Sequence, residues 1–178
     1  MINKIFYFII LLFISKYTYA TGYDVFGIGI YDVKFDGSST NLATDFRYER
    51  RFDKSLFDVG PESGDFFYVK PFAGFELTSE NASYVLGGIY LEDNVGDLFV
   101  GKESNFNFIP SFGIGYYRDG DGKKLGNDIE FRTTLEINYE MENKNRFALS
   151  FGHISNANLG DKNPGVEILS FSYQLPFD

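Results

Sequence analysis

Between Ile129 and Met141 the chain alternates without a break. Ile129, Phe131, Thr133, Leu135, Ile137, Tyr139 and Met141 interleave with Glu130, Arg132, Thr134, Glu136, Asn138 and Glu140. A period of two places each set on its own face of a β-sheet. One face is greasy and the other charged, which excludes a strand buried on both sides. Two architectures accept such a strand. In a transmembrane barrel the greasy face meets lipid and the charged face lines a polar lumen; in a soluble barrel the assignment is reversed.

Similar segments recur at Tyr23–Val33, Asn41–Arg51, Phe66–Thr78, Ser83–Glu92, Asn105–Arg118, Asp128–Met141, Arg146–Ile154 and Val166–Phe177. Turn signals such as Asp36-Gly37-Ser38, Asp119-Gly120-Asp121-Gly122 and Glu142-Asn143-Lys144-Asn145 separate them. Eight strands, with no competing helical periodicity and no repeat or linker, predict an all-β fold: an eight-stranded antiparallel transmembrane β-barrel. With both ends of an even-stranded barrel facing the periplasm, the connection between the seventh and eighth strands lies outside the cell. Glu142–Asn145 is short, as inner-side turns usually are. The inner-side connections near Phe52–Asp65 and Asp93–Ser104 are longer than this rule prefers, which implies either extended strands or a miscounted pair.

Composition supports export to a membrane. Residues 1–20 carry Lys4, an apolar run from Ile5 to Ile14 and a small-x-small site at Thr18-Tyr19-Ala20, the pattern of a secretory signal peptide. Residues 21–178 then form one barrel domain. The chain has no cysteine, so disulfides and thiolate metal sites are excluded. Its net charge of -9 argues against a nucleic-acid partner. The aromatic content is 19%, all Phe and Tyr, which suits the interfacial belts of outer-membrane barrels.

Near the C-terminus stands the single histidine, His153, two residues before Ser155. It shares a strand face with Phe147, Leu149 and Phe151, while Glu167 is in phase with Leu169, Phe171 and Tyr173 on the next strand. All three polar groups would therefore gather on the outside of the barrel at its extracellular rim. Polar groups facing lipid are costly, and their presence there points to function. His153 is suited to take a proton from Ser155, and Glu167 to orient the imidazole. Asn156, Asn163 and backbone N–H groups around Ala157 are the nearest donors for an oxyanion. On these residues alone, a solvated rim histidine remains the simpler reading.

The wider stretch His153-Ile-Ser-Asn-Ala-Asn158, followed by Lys162-Asn163-Pro164-Gly165-Val166-Glu167, resembles the C-terminal motif of the PagL-type lipid A 3-O-deacylases. The resemblance is specific over roughly Phe151–Phe177 and architectural upstream. It implies an eight-stranded outer-membrane esterase that removes the ester-linked 3-hydroxyacyl chain of lipid A. It assigns His153, Ser155 and Glu167 to the catalytic triad and Asn163 to the oxyanion hole. The implied partner is lipopolysaccharide in the outer leaflet, with no organic cofactor and no catalytic metal. Whether two copies form a homodimer is left open. The competing readings are a non-enzymatic structural or adhesive barrel and a soluble periplasmic lipid-binding barrel.

Other motifs have plainer explanations. Asp119-Gly120-Asp121-Gly122 resembles a calcium loop, but Lys123 stands where an oxygen ligand is needed, so a hairpin turn is expected. Glu130, Arg132, Glu136, Glu140 and Arg47 are expected to be lumen-facing groups that plug a narrow barrel.

Overall fold

The computed structural model describes residues 21–34, 39, 41–60, 67–96 and 102–178. The leader expected at residues 1–20, the turn residues Asp36-Gly37-Ser38 and the strand end at Phe66 lie outside them. The strands are β1 (Gly22–Tyr31), β2 (Ala43–Phe52), β3 (Phe57–Val59), β4 (Phe67–Thr78), β5 (Ser83–Tyr90), β6 (Asp93–Asn94), β7 (Phe106–Arg118), β8 (Ile129–Glu140), β9 (Arg146–Ser155) and β10 (Val166–Phe177). The eight long strands pair antiparallel in the cyclic order β1-β2-β4-β5-β7-β8-β9-β10, and β10 closes onto β1 through Gly22↔Phe177 to Tyr31↔Ile168. Closure removes sheet edges, so the strand backbones hydrogen-bond to one another, as a bilayer requires.

The two over-long connections are explained by extended strands. β3 pairs with the start of β4 (Phe57↔Val69), and β6 continues β5 along β7 (Asp93↔Phe108). Both additions lie at the rim opposite His153, and the count of eight in the closed ring stands. At that rim residues 141–145 form a tight hairpin in which the Met141 N–H donates to the Asn145 carbonyl (2.9 Å) and Lys144 takes a positive φ of 67°.

Polarity decides between the two kinds of barrel. Along β8 the buried residues are Glu130, Arg132, Thr134, Glu136 and Asn138, while Ile129, Leu135, Ile137 and Tyr139 are exposed. Leu149 on β9 is 58% exposed and Phe171 on β10 is 49% exposed. The barrel is charged inside and greasy outside, the inverse of a soluble barrel, and this overturns the soluble alternative. Outside, the register lines up Phe106, Tyr139, Phe147, Tyr173, Phe26, Tyr48 and Phe75 as successive cross-strand partners from β7 round to β4. Ring pairs form within the row, with centroids 5.2 Å apart for Phe106–Tyr139, 4.9 Å for Phe147–Tyr173, 5.3 Å for Phe26–Tyr48 and 5.6 Å for Tyr48–Phe75. The aromatic residues thus include a stripe along the hydrogen-bonding direction.

Inside, three arginines and three glutamates interlock. The Arg51 guanidinium forks onto Glu136 through contacts of 2.7 and 2.8 Å and also donates to Glu49 at 3.1 Å. Arg132 bridges Glu49 and Glu76. Arg47 lies 3.7 Å from Glu136 and donates to Ser150 at 3.3 Å, and Gln174 donates to Glu136 at 2.7 Å. The expectation of lumen-plugging ion pairs holds for Arg132, Glu136 and Arg47. Glu140 instead pairs with Arg146 at the opposite rim (2.7 Å), and Glu130 forms no ion pair among the described residues.

Toward the rim that carries His153, the filling becomes apolar and aromatic, with Tyr31, Tyr84, Tyr117, Leu125, Ile154 and Val166 buried. Removing one partner of a buried charge network strands the others. Arg132→Ala leaves Glu76 with no ion-pair partner among the described residues and is expected to cost about 3–5 kcal/mol of unfolding free energy. Urea titration of the folded, fast-migrating form in lipid checks this, and a loss below about 1 kcal/mol would contradict it.

Candidate functional site on the lipid-facing wall

The outward face of β9 runs Phe147, Leu149, Phe151, His153, and that of β10 runs Glu167, Leu169, Phe171. In the register between them His153 stands directly opposite Glu167. The imidazole Nδ1 lies 3.3 Å from the Glu167 carboxylate, with side-chain exposures of 46% and 31%. A histidine and a glutamate thus meet on the wall where their neighbours are apolar. With Nδ1 facing the carboxylate, the imidazole keeps Nε2 for a second partner.

Ser155 follows on the same face, half-buried and opposite Phe131. Its hydroxyl makes no hydrogen bond among the described residues. The fold therefore brings His153 and Glu167 into contact and puts Ser155 one step along the strand from them.

Residues 156–165 turn the chain from β9 into β10. Ala157 and Asn158 both lie in the left-handed region, with φ of 52° and 64°. The Leu159 N–H donates back to the Asn156 carbonyl at 2.9 Å and closes the turn. Two successive non-glycine residues in this region are uncommon, and such strain collects at functional loops. The exposed Ala157 leaves its N–H without a partner among the described residues. The Asn163 side-chain Oδ1 accepts from the Asn156 backbone N–H (3.1 Å), and its Nδ2 donates to Asn158 Oδ1 at 3.3 Å. A primary amide carries two N–H bonds, so one remains for another acceptor.

Asn156 differs from expectation. Its side chain is fully buried, and its amide nitrogen donates to the carbonyls of Leu125 (2.9 Å) and Lys162 (2.7 Å). Its amide oxygen accepts from the Asn158 N–H at 2.9 Å. Both donors being committed, the Asn156 side chain has none for an oxyanion and acts as a clamp within the loop.

Gly165 escaped the sequence reading. It has φ of 58°, and a Cβ there would stand 2.7 Å from His153 Cε1 and 3.4 Å from Nε2. The glycine gives the imidazole its space. Its signal was present in Asn163-Pro164-Gly165, where a glycine after proline marks a turn needing positive φ.

These features define a class: a transmembrane β-barrel with a plugged lumen and a histidine–carboxylate site, with a hydroxyl beside it, on its lipid-facing wall. The profile of the family described as "Lipid A 3-O-deacylase (PagL)" matches residues 83–176, and the chain belongs to that family of outer-membrane barrels. Among solved structures it is similar to "Crystal structure of the outer membrane enzyme PagL", with a TM-score of 0.63 and 16% identity over 87% of this chain and 99% of that one. It is also similar to a designed barrel from "De novo design of transmembrane beta-barrels", with a TM-score of 0.56 and 9% identity over 89% and 95% of the two chains. Likeness at these identities speaks for the fold; the family match speaks for the chemistry. A search of curated proteins finds no match.

Gly165→Ala is expected to push the imidazole out of reach of Glu167 and to add about 1–2 kcal/mol of backbone strain. A crystal structure of the variant checks this, since an unshifted ring would show that the glycine is not what makes room for it.

Proposed function

We propose that the protein is an outer-membrane esterase that hydrolyses the 3-O-linked 3-hydroxyacyl ester of lipid A with Ser155, His153 and Glu167. The observation that carries this reading is the His153–Glu167 pair at 3.3 Å on the lipid-facing wall of a chain from the deacylase family. An ester in the outer leaflet reaches this wall by lateral diffusion, without entering the plugged lumen.

The reaction follows acyl-transfer chemistry. His153 Nε2 takes the Ser155 hydroxyl proton as the oxygen attacks the ester carbonyl, and Glu167 holds Nδ1–H and stabilises the imidazolium. The carbonyl oxygen becomes an oxyanion, which the second Asn163 N–H and the Ala157 backbone N–H are suited to receive. Collapse expels the sugar alkoxide, which takes the proton from His153 and leaves the acyl group on Ser155. Water, deprotonated by His153, then releases the 3-hydroxy fatty acid and restores the serine. The donor set requires no organic cofactor and no metal ion for this sequence. A leader at residues 1–20 fits delivery to the outer membrane.

The non-enzymatic barrel is the second reading. Mass spectra of lipid A from cells producing wild type or Ser155→Ala distinguish the two. Wild type is expected to give a population lacking one 3-hydroxyacyl chain. Ser155→Ala and His153→Ala are each expected to lower the rate by roughly 10³-fold or more. Identical acylation in wild type and Ser155→Ala, with both proteins folded in the outer membrane, would sink the enzymatic reading.

A further inference from the structure

The loop that carries the site is not held by β9 and β10 alone. It leans on the β7–β8 connection, residues 119–128. Asn156 reaches the Leu125 carbonyl at 2.9 Å. A Cβ on Gly126 would stand 2.3 Å from the Lys162 carbonyl oxygen, and one on Gly160 would stand 2.4 Å from the Gly126 carbonyl oxygen. The two loops therefore touch backbone to backbone, with no room for side chains between them.

The β7–β8 connection is itself pinned from inside the barrel. The Lys123 ammonium enters the mouth and meets the Asp32 carboxylate at 2.5 Å, with side-chain exposures of 9% and 0%. The other Asp32 oxygen accepts from the Asn41 N–H at 3.1 Å. Tyr117 donates to the Lys123 carbonyl (2.8 Å), so the 2.7 Å contact between the Tyr31 and Tyr117 hydroxyls has Tyr31 as donor.

Asp32 sits at a break in the alternation of β1. It has φ of 61°, and both Tyr31 and Asp32 are buried. The next residue, Val33, donates its N–H to the Glu167 carbonyl at 3.0 Å. One end of the ion pair thus adjoins the backbone of Glu167. The other lies two residues from Leu125, which Asn156 grips three positions after His153.

We propose that the buried Lys123–Asp32 pair is a positioning element for the His153–Glu167 site, holding the imidazole strand and the carboxylate strand from their two sides. Its effect on catalysis rests on the esterase reading; its effect on the imidazole does not. A plain plug of the barrel mouth would lower the folded fraction and leave each folded molecule unaltered. A positioning pair alters the site within folded molecules, because small misplacements of reacting groups cost rate more than binding.

His153 is the single histidine, so its imidazole resonances are unambiguous. The test compares wild type, K123M, K123R and D32N/K123M in lipid nanodiscs, on the fraction that keeps heat-modifiable migration. The double variant removes both charges and spares the fold a stranded carboxylate. The NMR chemical shifts and line widths of the His153 imidazole are recorded beside kcat and KM for lipid A deacylation. In K123M and D32N/K123M the His153 imidazole signals are expected to move, broaden or split. kcat is expected to fall about tenfold or more while KM stays within about twofold. K123R is expected to recover most of both. Wild-type imidazole resonances in either folded Lys123→Met variant overturn the proposal. Wild type that leaves lipid A intact defeats the esterase reading instead, and the imidazole comparison still decides the positioning role.

Discussion

The interior of this barrel is filled with charge, and the rest of the structure depends on those charges satisfying one another. Arg51 on Glu136, Arg132 across Glu49 and Glu76, and Arg47 between Glu136 and Ser150 form a lattice that ties β2 to β4, β8 and β9 across the lumen. Each ion alone would be expensive to desolvate, and the forked arginine geometry with added hydrogen bonds offsets that cost. A sheet cannot offer its greasy face to lipid unless its opposite face is satisfied within the ring. The alternation of β8 encodes both conditions in one strand.

The same arrangement assigns separate duties to the two faces of the wall. The lumen specifies the fold, since its ion pairs join strands far apart in sequence, such as Arg51 and Glu136. The outer face is freed from that duty and carries Leu149, Phe171 and the aromatic stripe from Phe106 to Phe75. The site interrupts this outer face at its rim, where His153 and Glu167 satisfy each other and the Asn156–Asn163 loop supplies the polar surroundings. A histidine–carboxylate pair placed further along β9, among Leu149 and Phe147, would have lacked loop donors and water.

Much of this was legible in the residues because a period of two exposes strand faces directly. The eight long strands, the outward phase of His153 and Glu167, and the inward phase of Arg132 and Glu136 all follow from alternation. Strand ends were less legible: β1 stops at Tyr31, short of Val33, because Asp32 breaks the phase to send its carboxylate inward. The loops were not legible, since their contacts are set by pieces of chain that meet only after closure. Nothing local announces that Asn156 spends its donors on Leu125 and Lys162, or that Lys123, which spoils a calcium loop, is aimed at Asp32. Both are polar residues in loops, and periodicity is silent there.

A plugged lumen and an outward site are two consequences of one geometry. A barrel of eight strands has an interior just wide enough for side chains to fill, so a substrate with several acyl chains cannot be processed inside it. An enzyme on this scaffold must work on its outer wall, where the ester and its fatty chains already lie in the leaflet. There the loss of translational freedom on binding is reduced, because the membrane has already oriented the substrate relative to the wall. The demand on the protein shifts from capturing substrate to holding a small polar constellation steady at a lipid boundary. Two loop backbones in direct contact and a buried ion pair beneath them meet that demand, because each ties the site to the rigid ring instead of leaving it on a free loop.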